Sequence, residues 1–414
     1  MPAEDITHRH RFATAYKAPR PAIVAGPGEK PHGLGADHPQ RRLFPKSGRC
    51  NRSHETMMAA DDLFSLAELE HPIVGAPLAG GPSTAALAAA VSGAGGLGFL
   101  AAGYRTADAV RQDIAELRRR TARPFGVSLF VPSGAAADPD EVRRYADSLR
   151  GEASRYGVEA GPARHDDDGW ADKLDVVAGE RAPVVSFTFG CPPHDVVERL
   201  RAGGSAVWVT VTTPAEAAAA TRAGADALVV QGVEAGGHRG SFDVDAPGDL
   251  GLLALLQLVA AATDVPMVAT GGLMTGRAIA AVLVAGASAA QLGTAFMLTP
   301  EAGTAPVQRE ALAGEGTTAL TRAFSGRTAR GLVNRFLCEH SADAPPAYPE
   351  IHHMTAPLRA AARERGDADG LNLWAGQAHA LVREAPAAEL VRELAEEART
   401  VLRDAALRGT KPTS

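Results

Sequence analysis

The sequence contains few cysteines. Its 414 residues include three, Cys50, Cys191 and Cys338, which are far apart and odd in number. Such a set forms neither a disulfide framework nor the paired spacing of a zinc site, so it indicates a reducing compartment, the cytoplasm. The adjacent histidines His352 and His353 do not predict a metal centre either, because sequence neighbours rarely face one site. We interpret Cys191 as a small turn residue, since no partner base is evident.

An excess of positive charge is also missing. The chain has 42 Lys and Arg against 48 Asp and Glu, a net charge of −6 at pH 7. This balance argues against a nucleic-acid-binding protein.

Long runs of leucine and isoleucine are absent as well. Two uncharged stretches, 78–104 and 278–300, are rich in Ala and Gly. Each fits a helix followed by a buried strand, so we predict no membrane span.

The first part of the chain lacks apolar periodicity. Residues 1–56 hold ten Lys and Arg, five Asp and Glu, seven Pro and five of the 13 His. Such a segment buries too little apolar surface to offset its chain entropy. It also lacks the apolar core of a signal peptide. We expect residues 1–60 to be a disordered extension, or to reflect a start codon assigned too far upstream.

From residue 63 onward, short apolar strands alternate with amphipathic helices. Eight strands are predicted, at 72–77, 96–101, 124–131, 184–189, 206–211, 227–230, 266–269 and 289–294. The later ones are nearly continuous apolar runs, as expected where helices cover a parallel sheet. Eight βα units within residues 61–310 predict a TIM barrel, with an open doubly wound sheet as the alternative.

Two segments depart from this rhythm. Residues 132–182 are too long for an ordinary connection, so we predict an inserted excursion after the third strand. Residues 311–410 end in a helix from Pro386 to Gly409, with Leu390 and Leu394 on one apolar stripe. We expect this tail to form a helical cap over the barrel mouth that completes the substrate site. The stripe would serve packing or the contact of a homodimer.

Glycine motifs follow several of the predicted strands. Residues 93–98 match G-x-G-x-x-G, but they close a helix and open a strand, the reverse of a dinucleotide fingerprint, so we reject that interpretation. Two other motifs, at 269–273 and 291–294, follow the seventh and eighth strands. TIM barrels commonly bind a phosphate there, through backbone N–H groups that glycine leaves unobstructed. The turn at 76–81 has mostly small side chains, which would let a flat ring lie against its backbone.

The stretch Gln231–Gly240 places a glycine-rich loop and His238 directly after the sixth strand. The C-terminal ends of parallel strands are where such folds build active sites. A lone loop histidine is usually structural, but in this position we favour a functional role. We expect Arg239 to be a surface or salt-bridge residue, with Glu234 available as its partner.

Four of these segments together resemble the nitronate monooxygenase family, also called 2-nitropropane dioxygenases, which are FMN-dependent TIM barrels. The segments are APLAGGPST (76–84), QGVEAGGHRG (231–240), ATGGL (269–273) and QLGTAF (291–296), and NLWAGQ (372–377) resembles part of the family's tail. They are specific to the superfamily more than to one activity, because it also holds FMN enoyl-thioester reductases and NADH:quinone reductases.

The resemblance implies a set of site residues. His238 would be catalytic, and FMN would be held by Ala76, Pro77, Leu78, Ser128, Gln231, Gly236, Gly237, Gly271, Gly272, Gln291, Gly293 and Thr294. At Ser128 the family usually has an asparagine that meets the flavin, and serine has a shorter reach. The implied reaction converts a nitronate or nitroalkane and O₂ to a carbonyl compound and nitrite.

His238 has two roles open to it. A neutral nitroalkane must first lose a proton, and histidine, with a reference pKa near ~6.5, can accept one at pH 7. A nitronate has already lost that proton, so His238 would then orient the anion. If His238 is a base, His238→Asn should retain FMN and lose most activity on the neutral nitroalkane while sparing the nitronate. The alternatives are an NAD(P)H-dependent flavin reductase on the same fold and a flavin-binding barrel without turnover.

Overall fold

A computed structural model describes residues 63–134 and 136–409, so the predicted extension at 1–60 lies outside the described residues. Eight parallel strands form one sheet: β1 (Ile73–Gly75), β2 (Gly98–Ala101), β3 (Phe125–Phe130), β4 (Val184–Thr188), β5 (Ala206–Val211), β6 (Ala227–Gln231), β8 (Met267–Thr270) and β9 (Ala289–Leu292). Their spatial order is β1-β9-β8-β6-β5-β4-β3-β2. A parallel bridge between Val74 and Leu97 joins the two ends. The TIM barrel is therefore confirmed, and the open sheet is wrong.

Helices surround the barrel. They are α1 (Ala85–Gly93), α2 (Ala107–Arg120), α5 (Trp170–Gly179), α6 (His194–Ala202), α7 (Pro214–Ala223), α8 (Leu252–Ala260) and α9 (Gly276–Val284), with α3 (Pro139–Ser148) and α4 (Arg150–Tyr156) in the excursion. Threonines begin several of them: the side chains of Thr84, Thr106 and Thr275 each accept a hydrogen bond from the first helical turn. Such caps satisfy N–H groups that would otherwise have no partner.

The barrel interior is packed with side chains, which confines any cavity to its ends. Trp208 of β5 is 1% exposed and lies against Phe99 of β2, with ring centroids 5.6 Å apart. Phe64, from the segment that precedes β1, contacts the same indole ring. A filled interior leaves the C-terminal mouth as the place for a site. Among the helices of the described ranges, none is long and apolar enough to cross a bilayer.

The last helix does not lie over the mouth, so that part of the predicted cap is wrong. Helix α13 (Ala387–Gly409) packs against α9 and α1, where the eighth helix of the ring belongs. Its stripe residues Leu390 and Leu394 are 2% and 3% exposed in that contact. The Glu397 carboxylate accepts the N–H of Gly276 at 2.7 Å, at the start of α9. The stripe therefore serves packing within the chain.

The excursion and the segment before α13 build the cap together. The C-terminal part contributes α10 (Pro306–Ala313), β10 (Thr318–Thr321), β11 (Ala329–Leu332), α11 (Arg335–His340) and α12 (Glu350–Glu364). Strands β10 and β11 form a small antiparallel sheet with β7 (Gly237–His238), so the cap is not purely helical. Tyr145 of α3 is buried in the cap core and donates to the Ala323 carbonyl at 2.6 Å. Two segments far apart in sequence thus share one core above the mouth.

Candidate active site

A cavity of about 270 Å³ lies at the C-terminal mouth of the barrel, beneath the cap. Every site residue that the sequence predicted lines it: Ala76, Pro77, Leu78, Ser128, Gln231, Gly236, Gly237, His238, Gly271, Gly272, Gln291, Gly293 and Thr294. The parallel sheet explains this convergence, because the C-terminal ends of all eight strands meet at one face. The structure brings these residues together, and their individual roles remain predictions.

One side of the cavity is made of backbone, and we call Gly271, Gly272, Gly293 and Thr294 the glycine cradle. Gly271 and Gly272 have φ angles of 122° and 69°, which side chains rarely adopt. A Cβ on Gly271 would lie 3.2 Å from the Ala235 nitrogen. Within the described ranges, the N–H groups of Gly272 and Gly293 donate to no acceptor. The cradle therefore presents free backbone donors to the cavity.

The turn after β1 forms the side of the cavity next to the cradle. Ala76 continues the ladder by donating its N–H to the Leu292 carbonyl at 2.8 Å. Ser83 accepts the N–H of Leu78 at 2.7 Å, so it shapes this turn, whereas Thr84 caps α1. A Cβ on Gly293 would lie 3.2 Å from the Leu78 side chain. The turn and the cradle therefore meet closely at one side of the cavity.

The loop after β6 is held by a buried cation, which corrects the expectation for Arg239. Arg239 is 0% exposed, and its Nη1 donates to the carbonyls of Gln231 and Gly232 and to Gln231 Oε1, at 3.1, 2.6 and 3.0 Å. Glu234 instead accepts the N–H of Leu252, at the start of α8. The guanidinium has several donors in a fixed fork, so it satisfies carbonyls that a buried loop would leave unpaired.

The amide of Gln231 also serves this loop. Its Oε1 accepts the N–H of Gly240 at 2.8 Å as well as the Arg239 bond, and its Nε2 donates to the His238 carbonyl at 3.1 Å. A side-chain amide has two N–H donors, so one donor of Gln231 is left for a ligand. Gln231 therefore positions the histidine loop, whatever else it contacts.

The tail segment that resembled the family lies directly on this loop. A Cβ on Gly236 would lie 2.5 Å from the Ala375 carbonyl carbon and the Gly376 nitrogen, so only glycine fits. The Gly376 N–H donates to Thr294 Oγ1 at 3.0 Å. Gly237, next in the loop, has a φ of 72° and open space at its Cβ position. The tail therefore links the loop after β6 to the glycine cradle.

His238 lies in β7, in a largely apolar setting. Its Nε2 is 2.8 Å from Ser325 Oγ, and its ring contacts Phe189, Tyr348 and Trp374 edge to face. Burial, followed by the positive charges of Arg327 and Arg359, lowers the pKa of His238 to about 3. The reference pKa near ~6.5 therefore does not apply here. The imidazole is neutral at pH 7, and it is a weak base.

Sequence reasoning missed the side of the cavity that faces the cradle. Four rings form a chain of contacts that we call the aromatic wall: Tyr104, Phe130, Phe189 and His352. His352 stacks on Tyr104, with centroids 4.1 Å apart, and burial lowers its pKa to about 2. Its neighbour His353 points elsewhere, to Asp166 at 2.9 Å. Tyr104 has a φ of 65°, and no motif marked it.

The charge of the cavity has one sign. Arg359 and Arg363 of α12 line it, and no Asp or Glu does so within the described residues. Arg327 is 3% exposed behind the wall, with its guanidinium 4.1 Å from the centre of the Phe189 ring. A cavity with cations and no carboxylates attracts anions.

Comparisons with known proteins agree with this geometry. A model of the nitronate monooxygenase family matches residues 62–397. The chain belongs to the nitronate monooxygenase family. A nitronate monooxygenase from Pseudomonas aeruginosa is 46% identical over 351 residues, which cover 82% of this chain and 99% of that protein. A probable nitronate monooxygenase from Bacillus subtilis is 35% identical, with 80% and 96% covered.

Solved structures extend the family comparison. The structure of a nitroalkane oxidase from Streptomyces ansochromogenes superposes with a TM-score of 0.79 at 52% identity, covering 82% of this chain and 99% of that one. The structure of FabK from Thermotoga maritima superposes with a TM-score of 0.65 at 29% identity, covering 84% and 97%. The fold of this chain is therefore similar to that of a protein with a different name, FabK, as well as to that of a nitroalkane oxidase.

Proposed function

We propose that this protein is a flavin-dependent oxidoreductase that oxidises alkyl nitronates, and their parent nitroalkanes more slowly, with O₂ to carbonyl compounds and nitrite. One observation carries the proposal: in a member of this family, the cavity holds a neutral histidine and two arginines but no carboxylate from the described residues. Such a cavity favours a nitronate, which is an anion, over the uncharged nitroalkane.

Nitronate monooxygenases are flavin-dependent in general, and the residues here fit FMN. The unpaired N–H groups of Gly272 and Gly293 suit its phosphate, as backbone donors at glycine turns do. The turn Ala76–Leu78 would back the ring, and Ser128, 3% exposed, lines the cavity with a hydroxyl. When bound, the flavin supplies the redox chemistry, taking electrons from the substrate and passing them to O₂.

We assign His238 the orienting role of the two that the sequence left open. A base whose pKa lies near 3 is poorly matched to removing a proton from a nitroalkane at pH 7. A neutral imidazole carries one N–H, so His238 can donate one hydrogen bond to a nitronate oxygen, from Nδ1, when Nε2 accepts the hydroxyl of Ser325. The hydrogen bond between Nε2 and Ser325 Oγ fixes the ring, and the edge-to-face contacts pack against it. A bound anion beside the ring would also raise the pKa of His238. The hydrogen bond from the imidazole to the nitronate would become stronger as a result.

The experiment is anaerobic reduction of the purified holoenzyme. The bound flavin is identified by mass after release, and its bleaching is followed with propyl nitronate, with the neutral nitroalkane and with NADH. We expect rapid bleaching by the nitronate, slower bleaching by the nitroalkane and none by NADH, with nitrite formed once air is admitted.

The same experiment separates the other functions. Bleaching by NADH alone would identify a flavin reductase, which the structural similarity to FabK keeps as the second candidate. A protein that binds flavin but is bleached by none of the three would be a barrel without turnover. Either result contradicts the proposal.

A further inference from the structure

Arg359 is a cation without a counter-ion at the edge of the cavity. It lines the cavity from α12, and no carboxylate among the described residues lies within ion-pair distance of it. Burial lowers the pKa of Arg359 to about 10, so it still carries its charge at pH 7. A charge that is taken out of water is costly unless a partner compensates it. This unpaired charge therefore points to an anionic ligand.

Hydrogen bonds to its own helix fix the guanidinium of Arg359, which lines the cavity. Nε donates to Thr355 Oγ1 at 3.1 Å, and Nη2 donates to the His352 carbonyl at 2.9 Å. Nη1 donates to no acceptor in residues 63–134 and 136–409. One edge of the guanidinium is thus anchored to α12, and the other edge is free. A fixed planar fork of this kind suits the paired oxygens of a planar anion.

The position of Arg359 separates it from the phosphate end of the proposed cofactor. Its anchor His352 stacks on Tyr104, which follows β2 and contacts Phe130 of β3. The glycine cradle follows β8 and β9, and in the closed ring β3 and β4 lie opposite those two strands. Arg359 also acts electrostatically on His238. It therefore belongs to the side of the cavity that holds the histidine.

We propose that Arg359 is the anion-recognition residue of the site, binding the oxygens of the nitronate and so selecting the anion over its neutral conjugate acid. This inference rests on the proposed function, but it concerns binding and is testable without turnover. The free edge of the guanidinium would hold the anion that His238 orients.

The test uses sodium nitrate, a planar anion that is not a substrate, as the probe. Nitrate is titrated into the holoenzyme while the flavin absorbance is followed, for the wild type, Arg359→Gln, Arg359→Lys and the matched control Arg392→Gln. Arg392 is exposed on α13 and does not line the cavity. The flavin dissociation constant and the KM values for propyl nitronate and the neutral nitroalkane are measured for the same proteins.

We expect Arg359→Gln to weaken nitrate binding by about 10–100-fold, the size of a charge-assisted hydrogen bond. The KM for the nitronate should rise by a similar factor, while the KM for the nitroalkane and the flavin dissociation constant change by less than about threefold. Arg359→Lys keeps the charge, so it should lose less than the glutamine variant. Arg392→Gln should match the wild type.

Two results would overturn the inference. One is nitrate binding in Arg359→Gln within about twofold of the wild type. The other is a flavin dissociation constant that worsens in parallel with nitrate binding, since Arg359 would then hold the cofactor. If the glutamine variant does not fold, the lysine variant replaces it, and a KM for the neutral nitroalkane that rises as much as the KM for the nitronate also overturns the inference. A wild type that binds nitrate through Arg359 but does not oxidise nitronate would refute the proposed function and leave this inference standing.

Discussion

The glycine cradle and the aromatic wall face each other across one cavity, and they are built in different ways. The cradle comes from two short motifs after neighbouring strands, and it presents mainly backbone. The aromatic wall presents side chains. Its rings come from four residues that are far apart in the sequence, Tyr104, Phe130, Phe189 and His352. Backbone donors at glycine turns suit a constant group such as a phosphate. Side chains of varied shape and charge suit a substrate. The contrast supports the proposed division, in which the cradle holds the cofactor and the aromatic wall faces the substrate.

Arg239 holds the loop after β6, which lies against the cradle at Gly271 and against the aromatic wall through His238, so its loss should have the largest effect on both halves of the cavity. We expect Arg239→Met to lower the free energy of unfolding by about 3–5 kcal/mol, because buried carbonyls of Gln231 and Gly232 would lose their donor. Flavin and nitrate binding should weaken together. Urea denaturation followed by far-UV circular dichroism measures the change. Arg392→Met, on exposed α13, should stay within about 0.5 kcal/mol of the wild type. If Arg239→Met lowers the free energy of unfolding by less than about 1 kcal/mol, the cradle and the aromatic wall do not depend on this arginine.

His238 should affect the substrate half alone. We expect His238→Asn to keep the flavin dissociation constant and to lower kcat/KM for the nitronate by about 10–100-fold, because a hydrogen bond to an anion is lost. Steady-state nitrite formation measures the effect. A loss confined to the neutral nitroalkane would instead identify His238 as the base, and would contradict the orienting role.

The cofactor half should respond to backbone changes. Gly271 has a φ of 122°, and an added Cβ would lie 3.2 Å from the Ala235 nitrogen. The strain is about 1–3 kcal/mol, so Gly271→Ala should weaken flavin binding by roughly tenfold. Nitrate binding to the flavin-loaded fraction should not change. Gly179→Ala, at an exposed site with no atom within 4 Å of its Cβ, is the matched control. Equal weakening of nitrate binding would contradict the division between the halves.

The cradle was predictable and the wall was not, for a physical reason. Glycine marks a backbone conformation that other residues avoid, so Gly271 and Gly272 were visible in the sequence itself. Tyr104 and His352 become a stacked pair only when the cap folds onto the barrel. Arg239 looked like a surface charge because its neighbours are polar or glycine. Its burial depends on carbonyls that only the folded loop gathers around it.

The sequence by itself determined the eight βα units, the resemblance to the family and the residues at the barrel mouth. These follow from apolar runs, helix caps and glycines, which act over a few residues. Only the tertiary structure decided the place of α13, the unpaired charge of Arg359 and the low pKa of His238. Each of these depends on burial and on contacts between distant segments. Desolvation and charge placement are properties of the assembled cavity, and no local pattern encodes them.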